Sequence, residues 1–180
     1  MRIHAHTQTA VWLLVSAALL TSLIPGGPIE NRDFSHIHPG ILGLFNVFLT
    51  TLDLGSIPLA YFAAKGRSWA LKGAFAAAVA YFGVYAVDLA QLFPRSRTPM
   101  SSALALIEVL GMTVAIPLMF AARRSAASTS VTAEAFGGRA PMTAIALVLA
   151  VLGMAVVWFA TNAAMGDGTA HVAVIEQVGQ

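Results

Sequence analysis

The fold of this chain is decided by residues 101–122, which read SSALALIEVLGMTVAIPLMFAA. Glu108 is the single charged side chain among these 22 residues, and a helix of about 20 residues crosses the roughly 30 Å hydrocarbon core of a bilayer. A carboxylate within a span costs roughly 2.5–3.5 kcal/mol on insertion scales, so a helix retains one only where it faces protein or water. The stretch therefore predicts a transmembrane helix and a position at which to look for function.

Four further segments share this length and apolar character. The five predicted spans cover residues 7–24, 40–64, 69–93, 101–122 and 142–163. Of the 180 residues, 58% are hydrophobic and only 10% are charged, whereas soluble domains carry about 25% charged residues. The sequence therefore predicts an all-α, polytopic integral membrane helix bundle with five transmembrane helices. A single domain spans residues 1–165, and a tail outside the membrane covers 166–180.

The first segment admits a second interpretation, a cleaved signal peptide. Arg2 precedes an apolar run that begins at Val11, as in a leader sequence. However, a Pro-Gly-Gly-Pro turn at residues 25–28 stands where a cleavage site with small residues would be expected. We therefore favour a retained helix.

The basic residues predict the orientation. Seven of the ten Lys and Arg residues lie at the N-terminus, in the second and fourth connections, or at the adjoining helix ends. The three on the opposite side are Arg32, Arg95 and Arg97. Because basic loops remain in the cytoplasm, the N-terminus is predicted to be cytoplasmic and the C-terminus outside, in the cytoplasmic (inner) membrane. No basic stripe is present, so the predicted partner is the lipid bilayer and not a nucleic acid.

Each of three intramembrane acids belongs to a polar stripe with helical spacing. The stripes are Asn46–Thr50–Asp53, Tyr81–Tyr85–Asp88 and Ser101–Glu108. Because polar stripes turn away from lipid, three successive helices should direct them toward one another. We expect a polar pocket in the outer half of the membrane. Asp53 would form its floor, roughly 20 Å below the start of its helix, and the walls would be Asn46, Tyr85, Asp88 and Glu108.

This pocket predicts two classes of function. In the first, it binds or processes a lipophilic or cationic small molecule, or relays protons, because low-polarity surroundings and a neighbouring carboxylate favour the neutral form of a carboxyl group. The candidate catalytic residues are Asp53, Asp88 and Glu108; the candidate substrate-binding residues are Asn46, Tyr85, Arg32, Arg95 and Arg97. In the second, the chain is an accessory or assembly subunit of a membrane complex, and its polar groups only fix helix register.

A metal site is a weaker alternative. Glu30, Asp33, His36 and His38 are all ligand types, and His-x-His places both rings on one side of an extended strand. The chain has no cysteine, which excludes disulfides, thiolate metal sites and cysteine nucleophiles. The pattern indicates no particular cofactor.

Overall fold

The computed structural model describes residues 2–128 and 139–165, with side chains described for 5–128 and 146–165. This part of the chain forms five helices and no strand: α1 (Arg2–Thr21), α2 (Pro39–Ala64), α3 (Ser68–Leu89), α4 (Ser102–Ser128) and α5 (Arg139–Ala164). The all-helical prediction is confirmed. The predicted tail at 166–180 and most of the connection before α5 lie outside the described residues.

Four helices are long and apolar enough to cross a membrane. They are α2, α3, α4 and the Ala146–Ala164 part of α5. In contrast, α1 has polar first turns and is not in this set. Helix α3 ends earlier than residue 93, because Gln91 adopts a positive φ of 52° and its N–H bonds to the carbonyl of Asp88.

Helices α1 to α4 form the core, and among the described helices α5 packs only against α2. Small side chains let the helices approach closely, since Ala74, Ala78 and Ala115 are fully buried at the centre. Leu13 of α1 and Leu118 of α4 are fully buried in the core as well. The first helix is therefore part of the packed bundle.

Helix α1 fills only the part of the bundle near the α2–α3 connection. At its start, His6 contacts Gly66. At its end, Thr21 is hydrogen-bonded to Asp53, about 21 Å along α2 from Pro39. Beyond the end of α1 at Thr21, the remaining space in the bundle is occupied by residues 22–38, which we call the inserted loop.

The inserted loop folds into the bundle, and Glu30, Arg32 and Phe34 are buried. Its backbone is tied to two other segments: Phe34 N–H donates to the carbonyl of Ala164 (3.0 Å), and Arg97 N–H donates to the carbonyl of Asp33 (3.2 Å). The polar residues of the inserted loop, between positions 30 and 38, are thus brought against the ends of α3, α4 and α5.

Candidate functional site

Arg32 of the inserted loop is the centre of a buried ion-pair cluster. Its guanidinium donates two hydrogen bonds to Asp88, at 2.9 and 2.7 Å, and its Nη2 lies 2.6 Å from Glu30 Oε2. Side-chain exposure is 5% for both Arg32 and Glu30 and 16% for Asp88. Burial by itself lowers the pKa of Arg32, but the hydrogen bonds to Asp88 and Glu30 raise this pKa above its ordinary value, so the guanidinium stays charged.

Glu108 completes what we call the acid cluster, which comprises Glu30, Arg32, Asp88 and Glu108. Its side chain is 1% exposed, and Oε1 lies 3.9 Å from Arg32 Nη2, too far for a hydrogen bond. Within the described residues, neither carboxylate oxygen of Glu108 has a hydrogen-bond donor. The carboxyl group of Glu108 also faces that of Asp88. The cluster therefore combines three carboxyl groups with one guanidinium group.

Tyr85 lies beside the cluster, close enough to Asp53 and to Glu108 to interact with both charges. Its hydroxyl is buried and has no hydrogen-bond partner among the described residues. The ring packs directly on α4 at Gly111, where any Cβ would overlap it. The glycine thus permits the close approach that brings Tyr85 to Glu108.

A small cavity of about 50 Å³ adjoins the cluster. Five of the candidate catalytic and substrate-binding residues line it, Arg32, Asn46, Tyr85, Asp88 and Glu108, together with Glu30. Since one water occupies roughly 30 Å³ of liquid, the space admits water or a small ion.

Residues 5–136 match the model of the family DUF8051, described as a domain of unknown function. The chain belongs to this family. The matched region includes the inserted loop and the whole acid cluster. No curated protein and no solved structure shows significant similarity to the chain.

Three of the candidate catalytic and substrate-binding residues of the DUF8051 domain lie outside the cluster cavity. Asp53 lines a neighbouring cavity of about 140 Å³, which shares Asn46 with the first. The predicted single pocket is thus two adjacent cavities. Arg95 and Arg97 are exposed in the connection between α3 and α4, and neither lines either cavity.

The structure does not gather the residues of the metal alternative into one ligand set. Glu30 is bound by Arg32, and Asp33 is only partly buried. His36 and His38 are exposed, and His38 Nδ1 accepts a backbone hydrogen bond at the start of α2. Among the side chains described for residues 5–128 and 146–165, no group of three or more His, Cys, Asp or Glu is placed to hold a metal ion.

Sequence reasoning missed the roles of Glu30 and Thr21. Glu30 was considered only as a metal ligand, yet it neutralises part of the Arg32 charge. The spacing Glu30-x-Arg32 carried this signal, because residues two apart lie on the same side of an extended chain. Thr21 gave no signal, since its contact with Asp53 depends on where α1 ends.

Proposed function

We propose that this DUF8051 protein is a five-span protein of the cytoplasmic membrane whose acid cluster takes up and releases protons from the outer side. In this topology the N-terminus is cytoplasmic, and the inserted loop and the C-terminal tail are outside. The burial of Leu13 in the core supports retention of α1 as the first span. The distribution of basic residues supports the orientation.

The observation that carries the proposal is the buried Glu108 carboxyl group, which has no donor among the described residues. A buried carboxylate without a hydrogen bond is strongly unfavourable, and Arg32 is already engaged by Glu30 and Asp88. A proton on the Asp88–Glu108 pair removes one negative charge. It also supplies the hydrogen that two facing carboxyl groups need to bond to each other.

The different exposures of Asp88 and Glu108 indicate the order in which a proton from outside reaches them. Asp88 is 16% exposed and Glu108 is 1% exposed, so Asp88 is the group that meets water. A proton from water reaches Asp88 and passes to Glu108, and release follows the reverse path. Arg32 holds Asp88 in place through two hydrogen bonds. After release, Arg32 lies 3.9 Å from the Glu108 carboxylate and partly compensates its charge.

Infrared difference spectroscopy during a pH titration in lipid nanodiscs tests this assignment. We expect the carbonyl band of a protonated, buried carboxyl group, and we expect Glu108→Gln to abolish it. Asp33→Asn, in the same loop but outside the cavity, is the matched control and should leave the band unchanged. A titrating band that persists at full amplitude in Glu108→Gln contradicts the proposal.

The alternative is an accessory subunit in which the cluster only locks the inserted loop in place. The two hydrogen bonds from Arg32 to Asp88 favour it, because they tie the loop to α3 whether or not protons move. Copurification in mild detergent, combined with the titration, separates the two proposals. A stoichiometric partner subunit together with no titrating band supports the accessory role.

A further inference from the structure

Asp53 is the third intramembrane carboxyl group, and no basic side chain among the described residues compensates it. Oδ2 accepts a hydrogen bond from the Thr21 hydroxyl at 2.7 Å, whereas Oδ1 is buried and has no donor among the described residues. Among the described side chains, none of the ion pairs reaches Asp53. When ionised, Asp53 therefore presents a negative charge that no basic side chain among the described residues compensates, about 21 Å along α2 from Pro39.

The end of α1 adds to this negative potential. The helix ends at Thr21, the residue that contacts Asp53. The C-terminus of a helix carries roughly half a negative elementary charge. Hydrogen bonds from residues 22–24 already reach the last four carbonyls of α1, so the attraction for a cation here comes chiefly from the carboxylate.

The cavity beside Asp53 has polar and apolar parts. Its volume is about 140 Å³, close to that of a cavity of about 150 Å³ known to bind benzene. Apolar walls come from three helices and the start of the inserted loop: Leu20, Leu23, Ile24, Leu49, Val156 and Ala160. Oxygen atoms are supplied by Thr50 and Asn46, which are 8% and 4% exposed. Asn46 donates its amide N–H to Thr161, which leaves the amide oxygen as an acceptor.

Helices α1 and α5 both line the cavity and, in the described part of the chain, do not pack against each other. Thr21 is exposed beside this gap. In the proposed topology, a ligand with an apolar part enters the cavity through the gap.

We propose that this cavity binds a small organic ammonium ion. The ammonium group lies at Asp53 and the end of α1, and its apolar part contacts the aliphatic walls. One carboxylate matches a single positive charge, and the apolar lining suits an alkyl group better than a bare metal ion. The site is separate from the acid cluster and does not depend on proton uptake there.

Binding of n-butylammonium to the protein in nanodiscs tests the proposal, with n-butanol as the uncharged probe of the same shape. Calorimetric titration should show saturable binding of n-butylammonium and none of n-butanol. Asp53→Asn keeps the shape and the acceptor for Thr21, and it should weaken binding by about 30-fold or more. Val156→Phe, which fills the cavity and keeps Asp53, should also abolish binding.

Two controls make the outcome specific. Asp33→Asn, far from the cavity, and Glu108→Gln, in the acid cluster, should both bind n-butylammonium as the unmodified chain does. Equal affinity in Asp53→Asn, or saturable binding of sodium with none of n-butylammonium, overturns the proposal. Because Glu108→Gln removes the proposed proton site and retains this one, the two proposals fail independently.

Discussion

Replacing Arg32 by glutamine should be among the most destabilising single changes in the chain. The substitution removes the only cation of the acid cluster and leaves Glu30, Asp88 and Glu108 facing one another. It also removes the hydrogen bonds that tie the inserted loop to α3.

The magnitude follows from burial. Breaking a buried ion pair by removing one partner costs about 3–5 kcal/mol, whereas an exposed pair contributes about 0–1 kcal/mol. Arg32 and Glu30 are each 5% exposed, so their pair belongs to the buried class. Asp88 is 16% exposed, so the Arg32–Asp88 pair should contribute less than a fully buried pair would. We expect a loss of about 3 kcal/mol in the free energy of unfolding at neutral pH.

Unfolding by sodium dodecyl sulfate in mixed micelles, followed by circular dichroism, measures this difference. Arg95→Gln is the matched control, because Arg95 is exposed and makes one hydrogen bond, to the carbonyl of Gln91. Its effect should stay within about 0.5 kcal/mol. Arg32→Lys should recover part of the loss, since lysine keeps the charge but not the two-pronged geometry. Equal stability of Arg32→Gln and Arg95→Gln would refute the reasoning.

Two further changes test the packing. Gly111→Ala should lower the free energy of unfolding by about 1–3 kcal/mol, because its Cβ would overlap the Tyr85 ring. The control Gly83→Ala, with open space at its Cβ, should be neutral or stabilising by up to about 1 kcal/mol. Similar losses of stability for the two variants in the same denaturation assay would contradict this reasoning. Asn46→Ala should cost about 0.6–1.7 kcal/mol by removing the 2.9 Å hydrogen bond to Thr161 that links α2 to α5. A double-mutant cycle with Thr161→Val measures the coupling, and a value of zero would contradict it.

Much of the architecture was accessible from sequence, because apolar runs of spanning length depend only on composition. The convergence of Tyr85, Asp88 and Glu108 was also predictable, since helical spacing placed each on a polar stripe and lipid excludes such stripes. The structure brings these residues to one cavity. What they do there stays a prediction.

The division into two cavities was not accessible from sequence. It depends on α1 ending at Thr21, level with Asp53, and on residues 22–38 entering the bundle. No local pattern distinguishes a polar loop that folds inward from one that remains in water. The difference comes from pairing between Arg32 and Asp88, which are 56 positions apart.

As this chain folds, the inserted loop should be the last segment to take its place in the bundle. Non-helical backbone is tolerated at membrane depth only where protein covers it, and Arg32 has its acceptor on α3 and a further carboxylate on α4. In the proposed topology, the segment therefore enters the bundle only after α3 and α4 have crossed the membrane. We expect a nascent chain truncated before α4 to leave residues 22–38 open to protease, and the full chain to protect them.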